Sequence, residues 1–264
     1  MDGFVSWLRQ LQFDGVWQTA LLVAASLLCI TFHETCHGLA AYRLGDPTAK
    51  RAGRLTLNPL RHLDPVGTIL MFFAGFGYAK PVPVNPYNFR GDRNRDDFLV
   101  SIAGITVNLI LFVLFTYLAV LCSAFMWDRR FVAYNGLSKV VSYEYNAVWS
   151  VIAGSAKQDF GAVIARGWLV PFVRLFAYTA LVNLNLAVFN LIPLPPLDGY
   201  HVLNDLALKR PLFADQRAQG IGMTILYVAS FSGVLGDLLG KVYTLVLDGM
   251  GGWMVALFQA VKLI

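Results

Sequence analysis

The chain has 264 residues, of which 57% are hydrophobic and 14% are charged, whereas soluble domains carry about 25% charged residues. Its apolar runs are too long to be hidden in one globular core, which excludes an ordinary soluble domain. The net charge of +5 is better explained by the loops of a membrane protein than by nucleic-acid binding, so we expect a lipid bilayer and no nucleic acid as partners.

Several stretches of the chain are apolar enough to form transmembrane helices, because a crossing needs about 20 mostly apolar residues. They lie at about 17–42, at about 98–125, at about 168–192, and once or twice more within 220–264. The run 66–79, VGTILMFFAGFGYA, is too short to cross comfortably and is predicted to be re-entrant or interfacial. On either side of it, 53–59 alternates polar and apolar residues and 80–86 carries prolines, which predicts edge strands or loops.

Together these elements predict an all-α polytopic membrane protein, in which a core of three transmembrane helices carries the functional site. A re-entrant segment, short membrane-edge strands and one or two C-terminal helices complete the expected fold. We expect a single integral membrane domain over 1–264, with its core at about 17–203 and a C-terminal hydrophobic region at about 220–264.

The loops differ in their content of arginine and lysine. If the short run does not cross the bilayer, the richer loops share one side, and they are 43–65, 80–97 and 193–219. The poorer segments, 1–16 and 126–167, lie on the other side. The positive-inside rule then places the richer side in the cytoplasm.

The first predicted span contains TFHETCHGLA, residues 31–40, with two histidines and a glutamate in apolar surroundings. His33 and His37 are four residues apart, so a helix stacks them on one face, where two imidazoles can bind one zinc ion. Glu34 lies about 100° round the helix and can take a proton from a water on that zinc. The alternative is a pair of packed core histidines, but an H-E-x-x-H match is rare in a chain with four histidines.

A catalytic zinc site needs a third protein ligand and one open position. The candidates are His62, His201 and Asp198. The predicted topology favours Asp198, because the chain crosses out at 98–125 and returns at 168–192, to the end of the bilayer where the histidine pair lies. His62 and His201 are interpreted as residues at the membrane boundary.

The residues around Asp198 also favour a ligand role over that of a simple helix-end turn former. The prolines of NLIPLPPLDG, residues 190–199, end the preceding helix, and Gly199 permits a tight bend that turns the carboxylate inward. Asp198 and Glu34 together balance the charge of one Zn²⁺, which lowers the cost of burying it.

Four segments of the chain resemble the site-2 protease family of intramembrane zinc metalloproteases. These segments are the H-E-x-x-H span, GDPTAKRAGRLTLNPLRHLDPVGT at 45–68, AKPVPVNP at 79–86 and NLIPLPPLDG at 190–199. The sequence is similar to the compact prokaryotic branch that lacks a PDZ domain. This resemblance implies that His33, His37 and Asp198 bind the zinc ion and that Glu34 activates the water. It also implies a multi-pass protein of a prokaryotic cell membrane, and the positive-inside rule predicts that the active site lies toward the cytoplasm.

The resemblance further implies that Asn190, eight residues before Asp198, helps to stabilise the oxyanion. Taken alone, Asn190 is a polar residue at a helix end. The middle span departs from the family pattern, because it reads AGITVN where the family has A-G-P and a following asparagine. Ile105 replaces the proline and Asn108 keeps its place. Since proline kinks a helix, we expect a change in the shape of the substrate cleft and no loss of a zinc ligand.

The sequence therefore predicts a zinc-dependent intramembrane endopeptidase, which hydrolyses transmembrane or membrane-proximal segments of membrane-protein substrates with a zinc-activated water. One alternative is a membrane zinc hydrolase that acts on a lipid or a small amide. Another is a non-catalytic, zinc-stabilised membrane adaptor, against which Glu34 argues, because a structural site has no use for a base. A membrane diiron oxygenase needs far more histidines than the four present. The sequence indicates neither the substrate's identity nor an oligomeric state.

Overall fold

The structure is a computed structural model that describes residues 13–65, 67, 79–136, 161–208, 216–234, 236–238, 240–242 and 245–246. Within these ranges the protein is mostly helical and contains no β-strand. Pairing between extended residues is limited there to isolated bridges, Leu63 with Ala79 and Trp127 with Ile164.

The helices follow one another along the chain with short loops between several of them. The α-helices are α1 (Phe13–Arg43), α2 (Thr48–Arg51), α3 (Arg93–Met126), α4 (Arg129–Asn135), α5 (Val170–Asn190), α6 (Asp198–Leu203) and α7 (Gln216–Phe231). Short 3-10 helices occupy Pro59–Arg61, Pro86–Asn88, Gly161–Val163 and Gly167–Leu169, and a π-helical turn, Asn204–Leu208, follows α6.

Among the described residues, three helical segments are long and apolar enough to cross a membrane, namely Thr19–Arg43, Arg93–Met126 and Gly167–Asn190. They confirm the three core spans predicted from hydrophobicity, with α3 beginning earlier than expected. Its first turn contains Arg93, Arg95 and Asp96, and such charged residues lower the hydropathy used to locate a span without preventing a helix.

The predicted membrane-edge strands are not confirmed. Residues 53–59 and 80–86 are irregular or 3-10 in conformation, and the single bridge from Leu63 to Ala79 is the only pairing close to them among the described residues. The prolines in 80–86 cannot donate to a ladder, which explains why that segment does not extend the bridge. The predicted re-entrant run 66–79 lies outside the described residues except at its Gly67 and Ala79 positions.

The described chain divides into two compact units, to which α1, α3 and α5 each contribute residues. Unit 1 contains the described residues within 1–26, 113–181 and 245–264. Its core is apolar and consists of Met126, Trp127, Leu169 and Val173, with neighbours such as Phe131 and Ile164 packed against it.

Unit 2 contains the described residues within 27–112 and 182–244. Many of its buried side chains are polar, and they include Thr31, His33, His37, Asp46, Arg54, His62, Asp96, Asn108 and Asn204. Buried polar groups are costly unless they bind a partner. Unit 2 therefore contains most of the described residues whose burial needs a functional or structural explanation.

Candidate metal centre

The two histidines of α1 lie one helical turn apart and face the same point. Their ring centroids are 4.5 Å apart and the rings are nearly perpendicular. The Nε2 atoms of His33 and His37 are 3.0 Å apart, and the two residues are only 7% and 9% exposed. This is the arrangement that the four-residue spacing predicts.

The third predicted ligand, Asp198, lies beside this pair. Its Oδ2 atom is 3.3 Å from Nε2 of His33 and 3.2 Å from Nε2 of His37. Asp198 is the first residue of α6, which follows the proline-containing turn after α5. The candidate that the predicted topology favours therefore lies next to the histidines.

Gly199 contributes to this placement for a reason different from the expected one. Its φ angle is not among the positive values in the described chain, so no left-handed bend is required. A Cβ atom at Gly199 would instead lie 2.5 Å from the carbonyl carbon of Leu191 and 2.7 Å from the oxygen of Ile192. Glycine is needed because α6 packs directly against the backbone that ends α5.

The chemistry of these three side chains fits a bound divalent cation. The Nδ1 atom of His37 lies 2.8 Å from the carbonyl oxygen of Val100, so Nδ1 carries the proton and Nε2 of the neutral ring presents a lone pair. The carboxylate Oδ2 of Asp198 is also an acceptor, is buried, and has no hydrogen-bond partner. Two acceptors that face each other at 3.2 Å repel unless a cation or proton lies between them.

The distances agree with zinc as that cation. Zinc binds nitrogen and oxygen at about 2.0–2.1 Å, so the ligand atoms of a tetrahedral site are separated by about 3.3–3.4 Å. The three separations here are 3.0, 3.2 and 3.3 Å. Two imidazoles and one carboxylate also form a ligand set that is typical of catalytic zinc.

Gly104 of α3 is a site residue that the sequence reasoning missed. A Cβ atom at this position would lie 2.6 Å from Cε1 of His37 and 2.7 Å from Cε1 of His33. The backbone of α3 thus closes over both imidazoles, and Val100, one turn earlier, accepts the hydrogen bond from His37. The signal was a glycine inside an apolar span, which often marks a close approach of two helices.

Glu34 is only partly buried, and its Oε2 atom accepts a hydrogen bond of 2.8 Å from the backbone N–H of Val82. The predicted base is therefore held by the segment 80–86, which follows the run 66–79 in sequence. The other carboxylate oxygen, Oε1, has no such bond from Val82.

The remaining motif residues are placed as follows. The amide nitrogen of Asn190 donates to the carbonyl oxygen of Leu186 at 2.9 Å, within α5, and its role toward an oxyanion stays a prediction. Ile105 is 1% exposed, so the residue that replaces the family proline packs inside unit 2. Asn108 is completely buried, and neither atom of its amide has a hydrogen-bond partner.

The other two histidines lie outside this ligand set. The Nε2 atom of His62 faces the carbonyl oxygen of Thr56 at 2.8 Å. His201 pairs instead with Asp97 of α3, at 3.1 Å from Nδ1 to Oδ2, and Asp205 lies close to both. The hydrogen bond to Asp97 raises the pKa of His201 despite its partial burial. Burial and the charge of Asp97 raise the pKa of Asp205 to about 6.

The sequence profile of peptidase family M50 matches residues 21–232. A Bacillus subtilis protein named "Putative zinc metalloprotease YwhC" is 40% identical over 185 residues, which cover 70% of this chain and 68% of that protein. Two mycobacterial proteins, each named "Putative zinc metalloprotease Rip2", are more distant. The one from Mycolicibacterium smegmatis is 28% identical over 76% of this chain, and the one from Mycobacterium tuberculosis is 27% identical over 77%. The match spans 64% of the length of both mycobacterial proteins. No solved structure matches the chain.

Proposed function

The chain belongs to peptidase family M50, and from this premise we propose that it is a zinc-dependent endopeptidase that cleaves membrane-protein substrates within or beside the bilayer. The observation that carries the proposal is the triangle formed by His33, His37 and Asp198. Glu34 follows the first of these ligands directly, and the names of three bacterial relatives include a zinc metalloprotease activity.

Each of these residues has a definite role in the proposed reaction. His33, His37 and Asp198 would hold the metal, and a bound zinc ion would lower the pKa of a coordinated water and polarise the scissile carbonyl. Glu34 accepts the proton of the attacking water and later donates it to the leaving amine. One zinc ion suits the site, because Asp198 and Glu34 together supply the two negative charges that balance it.

Asn190 is proposed to donate a hydrogen bond to the oxyanion. A side-chain amide nitrogen has two N–H groups, and one of them already donates to Leu186 within the helix. That bond fixes the rotamer of Asn190 and leaves the second N–H to act on the substrate.

The position of the histidines supports a substrate that enters from the membrane. Both lie within the apolar segment Thr19–Arg43, and both are almost inaccessible to solvent. A peptide bond that reaches them belongs to a transmembrane or membrane-proximal segment. In a helical substrate the backbone carbonyl groups accept hydrogen bonds within the helix, so the substrate must unwind locally before a peptide bond can be cleaved.

The proposal also includes a location. The loop 43–65, which follows the histidine pair, and the loop 193–219, which contains Asp198, are both rich in arginine and lysine, and the positive-inside rule directs such loops to the cytoplasm. The relatives named above are bacterial. We therefore place the protein in a prokaryotic cell membrane, with its active site toward the cytoplasmic side.

The decisive experiment uses protein purified in detergent and a fluorogenic transmembrane peptide. We expect cleavage by the native protein, its loss on treatment with a zinc chelator and its return when zinc is added. Glu34→Gln should retain zinc, as measured by elemental analysis, and should lower the rate at least about 100-fold, which is the usual effect of losing a general base. His37→Ala should lose both zinc and cleavage.

Other outcomes would identify a different function. Full cleavage by Glu34→Gln would refute the assigned base. Bound zinc with hydrolysis of a lipid or small amide, but of no peptide, would indicate a different hydrolase. Bound zinc with no hydrolysis of any of these substrates would indicate a structural metal site.

A further inference from the structure

The segment KPVPVNP, residues 80–86, is here called the proline loop, and it has few backbone N–H groups because three of its residues are prolines. Three of the remaining N–H groups bind parts of unit 2 that lie far away in sequence. The N–H of Lys80 donates to the carbonyl oxygen of His62 at 2.9 Å, and the N–H of Val82 donates to Oε2 of Glu34 at 2.8 Å. The N–H of Asn85 donates to Oδ2 of Asp46 at 2.7 Å.

The two outer attachments of the proline loop are fixed independently of Glu34. Asp46 is completely buried, and it also accepts hydrogen bonds from the backbone N–H of Thr48 at 3.0 Å and the amide of Asn88 at 2.7 Å. At the other end, the buried guanidinium of Arg54 donates to the carbonyl oxygen of Lys80. The loop is therefore a rigid element that presents the N–H of Val82 to Glu34.

The conformation of Val82 follows from its neighbours. Pro83 restricts the residue before it to extended or polyproline conformations, and Pro81 has no N–H of its own. Val82 is 9% exposed, so little water competes for its N–H. A hydrogen bond to a charged acceptor in such a place is strong and restricts the rotamer of the carboxylate.

We propose that the backbone N–H of Val82 is a positioning group for Glu34, which holds one carboxylate oxygen and thereby directs the other toward the reacting water. This inference rests on the proposed function of Glu34 as the base and adds the group that orients it. No side chain of the proline loop takes part in the contact, so the role is independent of the residue type at position 82 except for proline.

Proline is therefore the substitution that tests the proposal. Val82→Pro removes the N–H in a segment whose extended backbone already accepts proline on both sides. We expect kcat to fall about 10- to 100-fold, which is the usual effect of a misplaced catalytic group, while KM and zinc content stay near their native values. Val84→Pro makes the same chemical change two residues away and leaves the bond to Glu34, so its kcat should be close to native.

A second measurement does not depend on activity or on how well Val82→Pro folds. A glutamine at position 34 still offers a side-chain carbonyl oxygen to the Val82 N–H, whereas an alanine offers no acceptor. Hydrogen exchange in the proline loop should therefore be about tenfold faster in Glu34→Ala than in the native protein. In Glu34→Gln it should be close to the native rate.

The two tests separate the inference from the function that it extends. Equal exchange in Glu34→Ala and Glu34→Gln, or a native kcat in Val82→Pro, would overturn the positioning role. Full peptide cleavage by Glu34→Gln would overturn the proposed base and would leave the exchange difference in place.

Discussion

The two units of the protein bury different kinds of side chain. The core of unit 1 is made of Met126, Trp127, Leu169 and Val173, which contact one another through apolar surface. Most of the buried polar and charged side chains among the described residues lie in unit 2, and they include all of the buried histidines, aspartates and asparagines. Apolar cores tolerate exchanges that conserve volume, whereas each buried polar group depends on particular partners. We therefore expect unit 2 to be more sensitive to small chemical changes than unit 1.

The largest effect should follow from adding one methyl group at Gly104. The Cβ atom of Gly104→Ala would press on the rings of both His33 and His37 and move them out of the ligand triangle. We expect most of the bound zinc to be lost and peptide cleavage to fall at least about 100-fold. Elemental analysis and the peptide assay would measure both.

Gly220→Ala is a matched control for this change. Gly220 lies in α7, and apart from its chain neighbours and the backbone of its own helix no atom of the described residues lies within 4 Å of the position that an added methyl group would take, so alanine there should stabilise the helix by up to about 1 kcal/mol. Native zinc content in Gly104→Ala would show that α3 can move away from the histidines, and the contrast between the units would then be weaker than proposed.

Residues with a local signal were predicted well from the sequence. The spans follow from long apolar runs, and the pairing of His33 with His37 follows from the period of the helix. Asp198 required an argument about topology, and the structure brings its carboxylate to 3.2 Å from His37. These features depend on a sequence pattern within one helix or on the direction in which the chain crosses the membrane.

Gly104 and the proline loop could not be predicted in the same way. The importance of Gly104 depends on how closely α3 approaches α1. A glycine inside an apolar span indicates the close approach of another helix, but nothing within α3 specifies that this helix is α1. Residues 80–86 were compatible with a strand or a loop, and the outcome depends on contacts with Glu34 and Asp46, which are distant in sequence. Every residue except proline has a backbone N–H, so the sequence does not indicate which of these groups binds Glu34, and only the folded structure shows that it is the N–H of Val82.

A second strong effect is expected at Asp46, which holds the proline loop. Asp46→Ala leaves the partly buried N–H groups of Thr48 and Asn85 without their acceptor. We expect it to lower the free energy of unfolding by about 2–4 kcal/mol, measured by thermal unfolding in detergent. A loss below the error of the measurement would show that water replaces the carboxylate.

The same residue predicts a pH dependence. Burial opposes ionisation of Asp46, but hydrogen bonds from Asn85, Asn88 and Thr48 outweigh it and hold its pKa below the usual range. Because the folded pKa is lowered, the stabilisation is present above the ordinary aspartate pKa of about 3.9 and is lost as pH falls through the folded value. In Asp46→Ala this contribution should be absent, so the free energy of unfolding should fall less steeply as the pH is lowered. The same acid dependence in Asp46→Ala and the native protein would show that Asp46 is not its source.

A smaller effect is expected where unit 2 holds α6 in place. His201 lies one turn after Asp198 on α6 and pairs with Asp97 of α3 at 3.1 Å. Asp97→Asn removes the charge and keeps the shape, so α6 should be held less firmly and zinc should bind about 5- to 10-fold more weakly. Competition with a graded series of chelators would measure this, and native zinc affinity would show that the proline turn alone positions Asp198.

The smallest effect is expected in unit 1, where the comparison between the units can be tested with two exchanges of similar size. Met126→Leu conserves apolar volume next to Trp127 and Val173, and it should change the free energy of unfolding by less than about 1.5 kcal/mol, with native zinc content. Asp46→Asn is equally conservative in shape, but it replaces an acceptor oxygen with an amide that must face N–H donors. It should therefore destabilise the protein more than Met126→Leu does, as compared by their unfolding temperatures in the same detergent. If Met126→Leu were the more damaging exchange, sensitivity to substitution would depend on packing in both units, and the polar character of unit 2 would not explain it.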